Sequence, residues 1–477
     1  MKLWNIIWIG VVLVCGVGCS SFLDVQPKDK QSEKQLFATR GGFYTAVNGI
    51  YNKMASPALY GKNLSYELVD VISKRYQPLP VNTYLTALST FAYTDENVKK
   101  TLESTWTTAY NTILNCNVVL ENIDESEGVL QEQEYRVLKG EMLAVRAFLH
   151  FDMLRLFGPV YKLHPEAEAI PYNESSKVVA LPLMTADSVL HEKILRDLDE
   201  AEELLADRDP VIENGPMASL EKDEEVYLRY RQLRMNYYAV LGLKARICLY
   251  AKDVTAAYGA ANEVILAQQQ KGLFPWVKTA DITTTEANLR DRTFSSEHLF
   301  AFNTTKLEEY IKGYFREASL PLMERLMPGE LYEADDYRTA LYETYSGFAN
   351  VLTKFWQMDK AYVQGQGNVT PKRNRMPAIR IAEMYYIAAE ALKESNIGEA
   401  LEMLNTLRVH RGLMKLENLD KDQLQEELGR EYYREFIGEG QVFFYHKRMN
   451  TSIIATANAV YVLPMPDDEI DLGQREQ

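Results

Sequence analysis

The stretch RQLRMNYYAVLGLKARICLYAKDVTAAYGAANEVILAQQQ (Arg231–Gln270) decides the fold. It reads as two amphipathic helices that turn back on each other at Lys252-Asp253. A second stretch, PAIRIAEMYYIAAEALKESNIGEALEMLNTLRVHRG (Pro377–Gly412), repeats the plan with its turn at Ser395-Asn396. Overlaid, Ala245 and Ala389 each precede a further alanine, Ala256 and Ala400, by eleven residues across the turn. Small residues at those places let paired helices approach closely, the packing logic of tetratricopeptide repeats.

Upstream, WTTAYNTILNCNVVLENID (Trp106–Asp124) places Trp106, Tyr110, Ile113, Leu114 and Asn117 at three- and four-residue steps, a helix with one buried face. EYRVLKGEMLAVRAFLHFDMLRLFG continues the period through Tyr135, Leu138, Met142, Val145, Leu149 and Leu156 until Gly158-Pro159 stops it. The two are expected to form an antiparallel hairpin across DESEGVLQ. TADSVLHEKILRDLDEAEELL is a further helix, its acids read as a solvated face. Helical units are thus expected at about 104–158, 183–206, 230–270 and 377–436. The fold class is all-α (mainly α), a degenerate helical-repeat scaffold.

Two regions escape the helical period, about 70–100 and 272–376. The first carries Pro78, Pro80 and several tyrosines; the second carries Trp276, many Thr and Asn, and GQGN (Gly365–Asn368). Long aromatic-bearing loops in a compact domain are usually functional. They are read as one irregular, loop-rich binding face.

The first residues form an export signal: Lys2, an apolar run Leu3–Val14, then Gly16-Val17-Gly18 before Cys19. Residues 1–18 are expected to be removed, leaving Cys19 for lipidation and 19–477 as one domain. The apolar run is too short for a transmembrane helix, which needs about 20 residues; lipid chains would instead moor the chain to a membrane. Net charge is −15, which argues against nucleic-acid binding, where Lys and Arg displace counterions. Cys116 and Cys248 sit inside helical patterns and are read as buried free thiols, with a disulfide between them left open. No CxxC pair and no His cluster suggests a metal, and no cofactor is expected.

Chemistry by motif is missing. GxSxG, HExxH and a Walker loop do not occur. Acid pairs such as Asp335-Asp336 and Asp467-Asp468 are read as surface, and His446 as a packed helix residue. Binding is the expected function, because sugar rings stack on aromatic faces while their hydroxyls need polar side chains at the rim. Trp106 is at core spacing. Trp276 in GLFPWVK, Trp356 in VLTKFWQMDKAYVQ, and Arg75, Tyr76 and Tyr84 of the earlier loop are the candidate ligand-binding residues.

Five segments in order, CSSFLDVQPKD, WTTAYNTILNCNVVLENID, GEMLAVRAFLHFDMLRLFGPV, RIAEMYYIAAEALKESNIGEALEMLNTLRVHRG, and EYYREFIGEGQVFFYHKRMN with YVLPMPDDEI, resemble the SusD/RagB family. The resemblance implies a SusD-like, tetratricopeptide-type helical fold in a lipid-anchored lipoprotein of the Bacteroidetes outer membrane that faces the cell exterior. It implies a non-enzymatic partner of a SusC-like TonB-dependent transporter that captures glycan, an oligosaccharide above all. A RagB-like peptide cargo is the alternative; a helical glycoside hydrolase and a purely protein-binding scaffold are weaker readings. Phe22-Leu23 and Pro27 would pin the tether after Cys19 to the body.

Overall fold

The computed structural model describes residues 28–126, 128–216, 226–286, 289–323, 329–345, 349–356, 361–363, 367–369, 373–453 and 460–473. The leader, Cys19 and the Phe22–Pro27 tether lie outside the described residues, as does Gly365 of the GQGN stretch.

Helices dominate. In the N-terminal part they are α1 (Lys28–Leu36), α2 (Arg40–Met54), α3 (Leu68–Ile72), α4 (Thr83–Ser89), α5 (Glu96–Glu125), α6 (Glu132–Phe157) and α7 (Leu195–Leu205). The C-terminal part adds α8 (Tyr237–Tyr250), α9 (Val254–Lys271), α10 (Ile381–Leu392), α11 (Ile397–His410), α12 (Lys421–Glu435) and α13 (Gln441–Met449).

The hairpins form where the periodicity places them, and the boundaries follow from caps. Asp95 accepts from the N–H groups of Asn97 and Val98, so α5 starts about two turns earlier than the Trp106 stripe alone indicates. A capping box between Gln131 and Glu134 opens α6. Lys252 takes the left-handed conformation at φ 66°, and Asp253 caps α9 by accepting from Ala256 N–H. Asn396 does the same for α11 through Glu399 N–H. Helices α5/α6, α8/α9 and α10/α11 pack as pairs, and α9 lies on α10. Ala245, Ala389 and Ala400 are fully buried at these seams, whereas Ala256 is half-buried. Gly140 shows how close the approach is: a Cβ there would sit 2.9 Å from Leu205 Cγ of α7.

Two expectations need correction. The helix before α7 is interrupted, with Ala186–Ser188 running into a π-turn at Val189–Ile194. Its acids are not all solvated either: Asp197 is buried, taking both oxygens to Arg146 at 2.6 and 2.9 Å and one to Tyr172 at 2.6 Å. A guanidinium fork supplies the hydrogen bonds that let a carboxylate leave water.

The region 272–376 is only partly irregular. The strands are β1 (Glu168–Ile170), β2 (Met184–Thr185), β3 (His298–Asn303), β4 (Tyr342–Tyr345), β5 (Ala349–Leu352), β6 (Ala361–Val363), β7 (Gly367–Val369) and β8 (Arg375–Arg380), and β3 pairs antiparallel with β8 through two register shifts. Smaller ribbons pair Tyr342–Tyr345 with Ala349–Leu352 and Ala361–Val363 with Gly367–Val369. Strand-strand pairing at such irregular spacing leaves no period-2 signal in the sequence.

A buried charge network holds this region to the helices. Glu435 of α12 accepts from Arg380, Arg338 and Arg411 at 2.5 to 3.0 Å. Glu431 accepts from Arg338 and Arg434, and Glu297 accepts from Arg411 at 2.6 and 2.9 Å. Asp336 grips Arg338 at 2.7 and 2.8 Å and is 1% exposed, so of the Asp335-Asp336 pair only Asp335 is surface. The arginines beside Glu435 hold its carboxyl well below the usual range despite burial. Strand β8 and the Asp336–Arg338 turn are thereby bolted to α11 and α12.

Candidate functional site

The segment between α2 and α3 is the floor of the candidate site. It is a run of tight turns, with Leu64 N–H bonded to Leu59 O and Glu67 N–H to Lys62 O. This geometry buries Tyr66 and Glu67 while leaving Lys62 half-buried. Glu67 then becomes a hub: Lys62 Nζ donates to its carboxylate at 2.9 Å, and so does the Tyr84 hydroxyl from α4. Lys62 also lies 5.9 Å from the Tyr314 ring. Burial first, then the Glu67 charge, raises the Tyr84 hydroxyl well above its ordinary range, so it stays a donor.

Tyr66 connects this hub to the later region. Its ring meets Tyr314 at 5.8 Å, Phe315 at 5.3 Å and Phe355 at 5.9 Å, in tilted and edge-on contacts. Next to Phe355, Trp356 is half-buried with the Arg316 guanidinium 4.8 Å over its ring. Trp356 Nε1 is buried and makes no hydrogen bond among the described residues. Tyr84, Tyr314 and Trp356, all half-buried, are thus gathered around the buried Tyr66–Glu67 pair and Phe355, with Lys62 and Arg316 beside them. The two loop regions are stitched together by main-chain bonds from Gln77 N–H to Pro321 O and from Met323 N–H to Arg75 O, while Leu322 N–H bonds Asn350 O within the later region.

The structure separates the five sequence candidates. Tyr84 and Trp356 share this surface. Arg75 and Tyr76 do not: they are 0% and 1% exposed and lie beneath it. Arg75 sits 5.1 Å from the Tyr433 ring, and none of its guanidinium nitrogens has a hydrogen bond among the described residues. Tyr76 leans on Phe315 and points its hydroxyl at Asp70. Their register in a proline-rich loop looked exposed, but the bridge from Tyr76 to Leu322 folds that loop inward. Asp70 is pushed up to about 7 by burial, partly offset by Arg75 and by Gly438 N–H at 2.6 Å. Trp276 lies elsewhere, between α10 and α11, stacked on His410 at 4.9 Å and 22° and tilted against Tyr385 at 5.1 Å.

Sequence reasoning missed Lys62, Tyr66, Glu67, Tyr314 and Arg316. The only signal for the first three was a non-periodic GKNLSYE between two helices. Trp106 and His446 are buried as their spacing indicates, and Cys116 and Cys248 are buried free thiols. Among the described residues no group of His, Cys, Asp and Glu is arranged to hold a metal, and no helix is long and apolar enough to cross a membrane.

Comparison with known proteins bears on this arrangement. Residues 21–214 match the family described as starch-binding associating with outer membrane, and residues 277–461 match the SusD family. SusD-like protein P2 of Formosa agariphila is 24% identical over 466 residues, covering 90% of this chain and 86% of that one. A SusD superfamily protein from Bacteroides vulgatus superposes with a TM-score of 0.73 at 22% identity, over 92% of this chain and 98% of the other. A laminarin-binding SusD-like protein superposes at 0.67 with 17% identity, over 92% and 99%.

Proposed function

The chain belongs to the SusD family, and on that premise we propose that it is a cell-surface lipoprotein that captures oligosaccharides without cleaving them. In this reading it hands them to a SusC-like TonB-dependent transporter in the outer membrane, to which Cys19 moors it through lipid. The observation that carries the glycan reading is the gathering of half-buried Tyr84, Tyr314 and Trp356 with Lys62 and Arg316 over the buried Glu67 hub. Half-buried rings supply stacking area at low entropic cost, and the Lys62 ammonium and Arg316 guanidinium beside them can donate to hydroxyl-rich ligands. The laminarin-binding relative makes β-glucan fragments the first ligands to try.

The test is calorimetric titration of the chain from Ser20 onward with laminarin and starch oligosaccharides and with peptides, each mixture then analysed for cleavage products. Micromolar to millimolar binding of a glycan, intact afterwards, is expected. Loss of one stacking ring, as in Trp356→Ala, should weaken it about tenfold, the equivalent of roughly 1.4 kcal/mol. Peptide binding alone, or glycan breakdown, overturns the reading. The anchor is tested separately by mass spectrometry of the N-terminal peptide of membrane-expressed protein, with Cys19→Ala as control.

A further inference from the structure

A second concavity runs beside α5. Its floor is Trp106 and Tyr110, rings 4.6 Å apart, and its volume is about 450 Å³. One wall is the outward stripe of α5 from Glu103 to Leu114; the others are the chain from Lys177 to Leu181 and the C-terminal Pro466–Gly473 segment. The eleven steps from Glu103 to Leu114, at about 1.5 Å each, make the groove roughly 16 Å long, the reach of about five residues of extended chain.

Three features of the walls agree. First, Val178 and Val179 are 89% and 60% exposed, unusual for β-branched apolar side chains beside an already apolar floor. Second, this segment is exposed and unpaired: the main-chain groups of Val178, Val179 and Ala180 make no hydrogen bond among the described residues. An exposed run of free N–H and C=O groups is a template for an added strand. Third, charge is polarised along the groove. Glu103, Asp468 and Glu469 gather at the end where α5 begins, and Lys177 stands at the other.

We propose that this groove is a docking site for an extended polypeptide segment of a partner protein, added as a strand along Val178–Ala180, with alternate apolar side chains on Tyr110 and Leu114 and a Lys or Arg at the acidic end. The strand edge selects main chain over sugar, and the carboxylates select a basic flank. None of the groove's lining residues is among the aromatic and charged residues of the candidate glycan site.

A random heptapeptide phage library panned on the chain from Ser20 onward tests it. Enriched sequences should alternate apolar residues and carry Lys or Arg at one end. Synthetic versions, followed by fluorescence anisotropy, should lose at least tenfold in affinity with Val179→Pro, which deletes an amide that bonds nothing in the free chain. They should lose several-fold with Glu103→Gln/Asp468→Asn, and less so in high salt. Unchanged thermal melting confirms that the variants fold. No enriched peptide, peptides without a basic residue, or equal binding to Val179→Pro overturns the proposal. Self-association in sedimentation velocity that Val179→Pro abolishes also overturns it, in favour of a second copy of the chain.

Discussion

Replacing Glu435 with Gln strikes the point where the irregular region is fastened to the helices. The carboxylate is wholly buried and receives hydrogen bonds from three guanidinium groups, those of Arg338, Arg380 and Arg411. Glutamine keeps the shape and one acceptor, but it turns an NH₂ toward donors and leaves one positive charge unbalanced. Breaking a buried pair by removing one partner costs about 3–5 kcal/mol. That is a large share of the roughly 5–15 kcal/mol by which native proteins are stable. With a urea dependence near 3 kcal/mol per molar, the midpoint should fall by about 1 M or more. The pH dependence follows from the sign of the shift. Folding holds the Glu435 carboxyl below its ordinary 4.5, so its contribution is complete above that value and fades as acid titrates the folded form. The deficit of the variant should therefore be constant from pH 8 to 5 and shrink below about pH 4.5. A single-variant cost under about 1 kcal/mol would refute the idea that this network fastens the binding face.

Asp70 carries the opposite sign. Its folded value near 7 lies above the unfolded 3.8, so its contribution is present in acid and lost as pH rises from about 4 to 7. Asp70→Asn, which keeps an acceptor for Gly438 N–H, should flatten that part of the stability–pH curve in urea titrations. Gly440 has φ +71°, and a Cβ there would lie 2.5 Å from Leu64 O and 2.6 Å from Val69 Cγ2. Gly440→Ala should cost about 2 kcal/mol or more in stability and disturb the turns that carry Tyr66 and Glu67. Burial pushes the Cys116 thiol up to about 12 and that of Cys248 to about 11, so in the chain from Ser20 onward neither should react with Ellman's reagent until urea unfolds it.

The paired helices were legible because each buries one continuous stripe against a neighbour, which leaves a period in the residues. The alanine seams at Ala245, Ala389 and Ala400 and the stops at Lys252-Asp253 and Asn396 were readable for that reason. Strand β3 was not, since His298–Ala301 is buried on both faces and shows no alternation. The charge network was illegible for a deeper reason. Glu297, Asp336, Arg338, Arg380, Arg411 and Glu435 are scattered along the chain, and composition counts them as surface until the fold brings them within hydrogen-bonding distance. The same holds for the candidate site: aromatic content pointed to Tyr84 and Trp356, but only three dimensions reveal that Glu67 and Tyr66 join them, and that Arg75 and Tyr76 turn inward.

The decisive observation is thermodynamic. Titrate intact laminarin oligosaccharide into the chain from Ser20 onward, alongside its Tyr84→Ala/Trp356→Ala form. Saturable heat from the first, at least tenfold weaker in the second, with the sugar recovered whole, is what ring-stacking capture predicts. Equal heats from both proteins would contradict it.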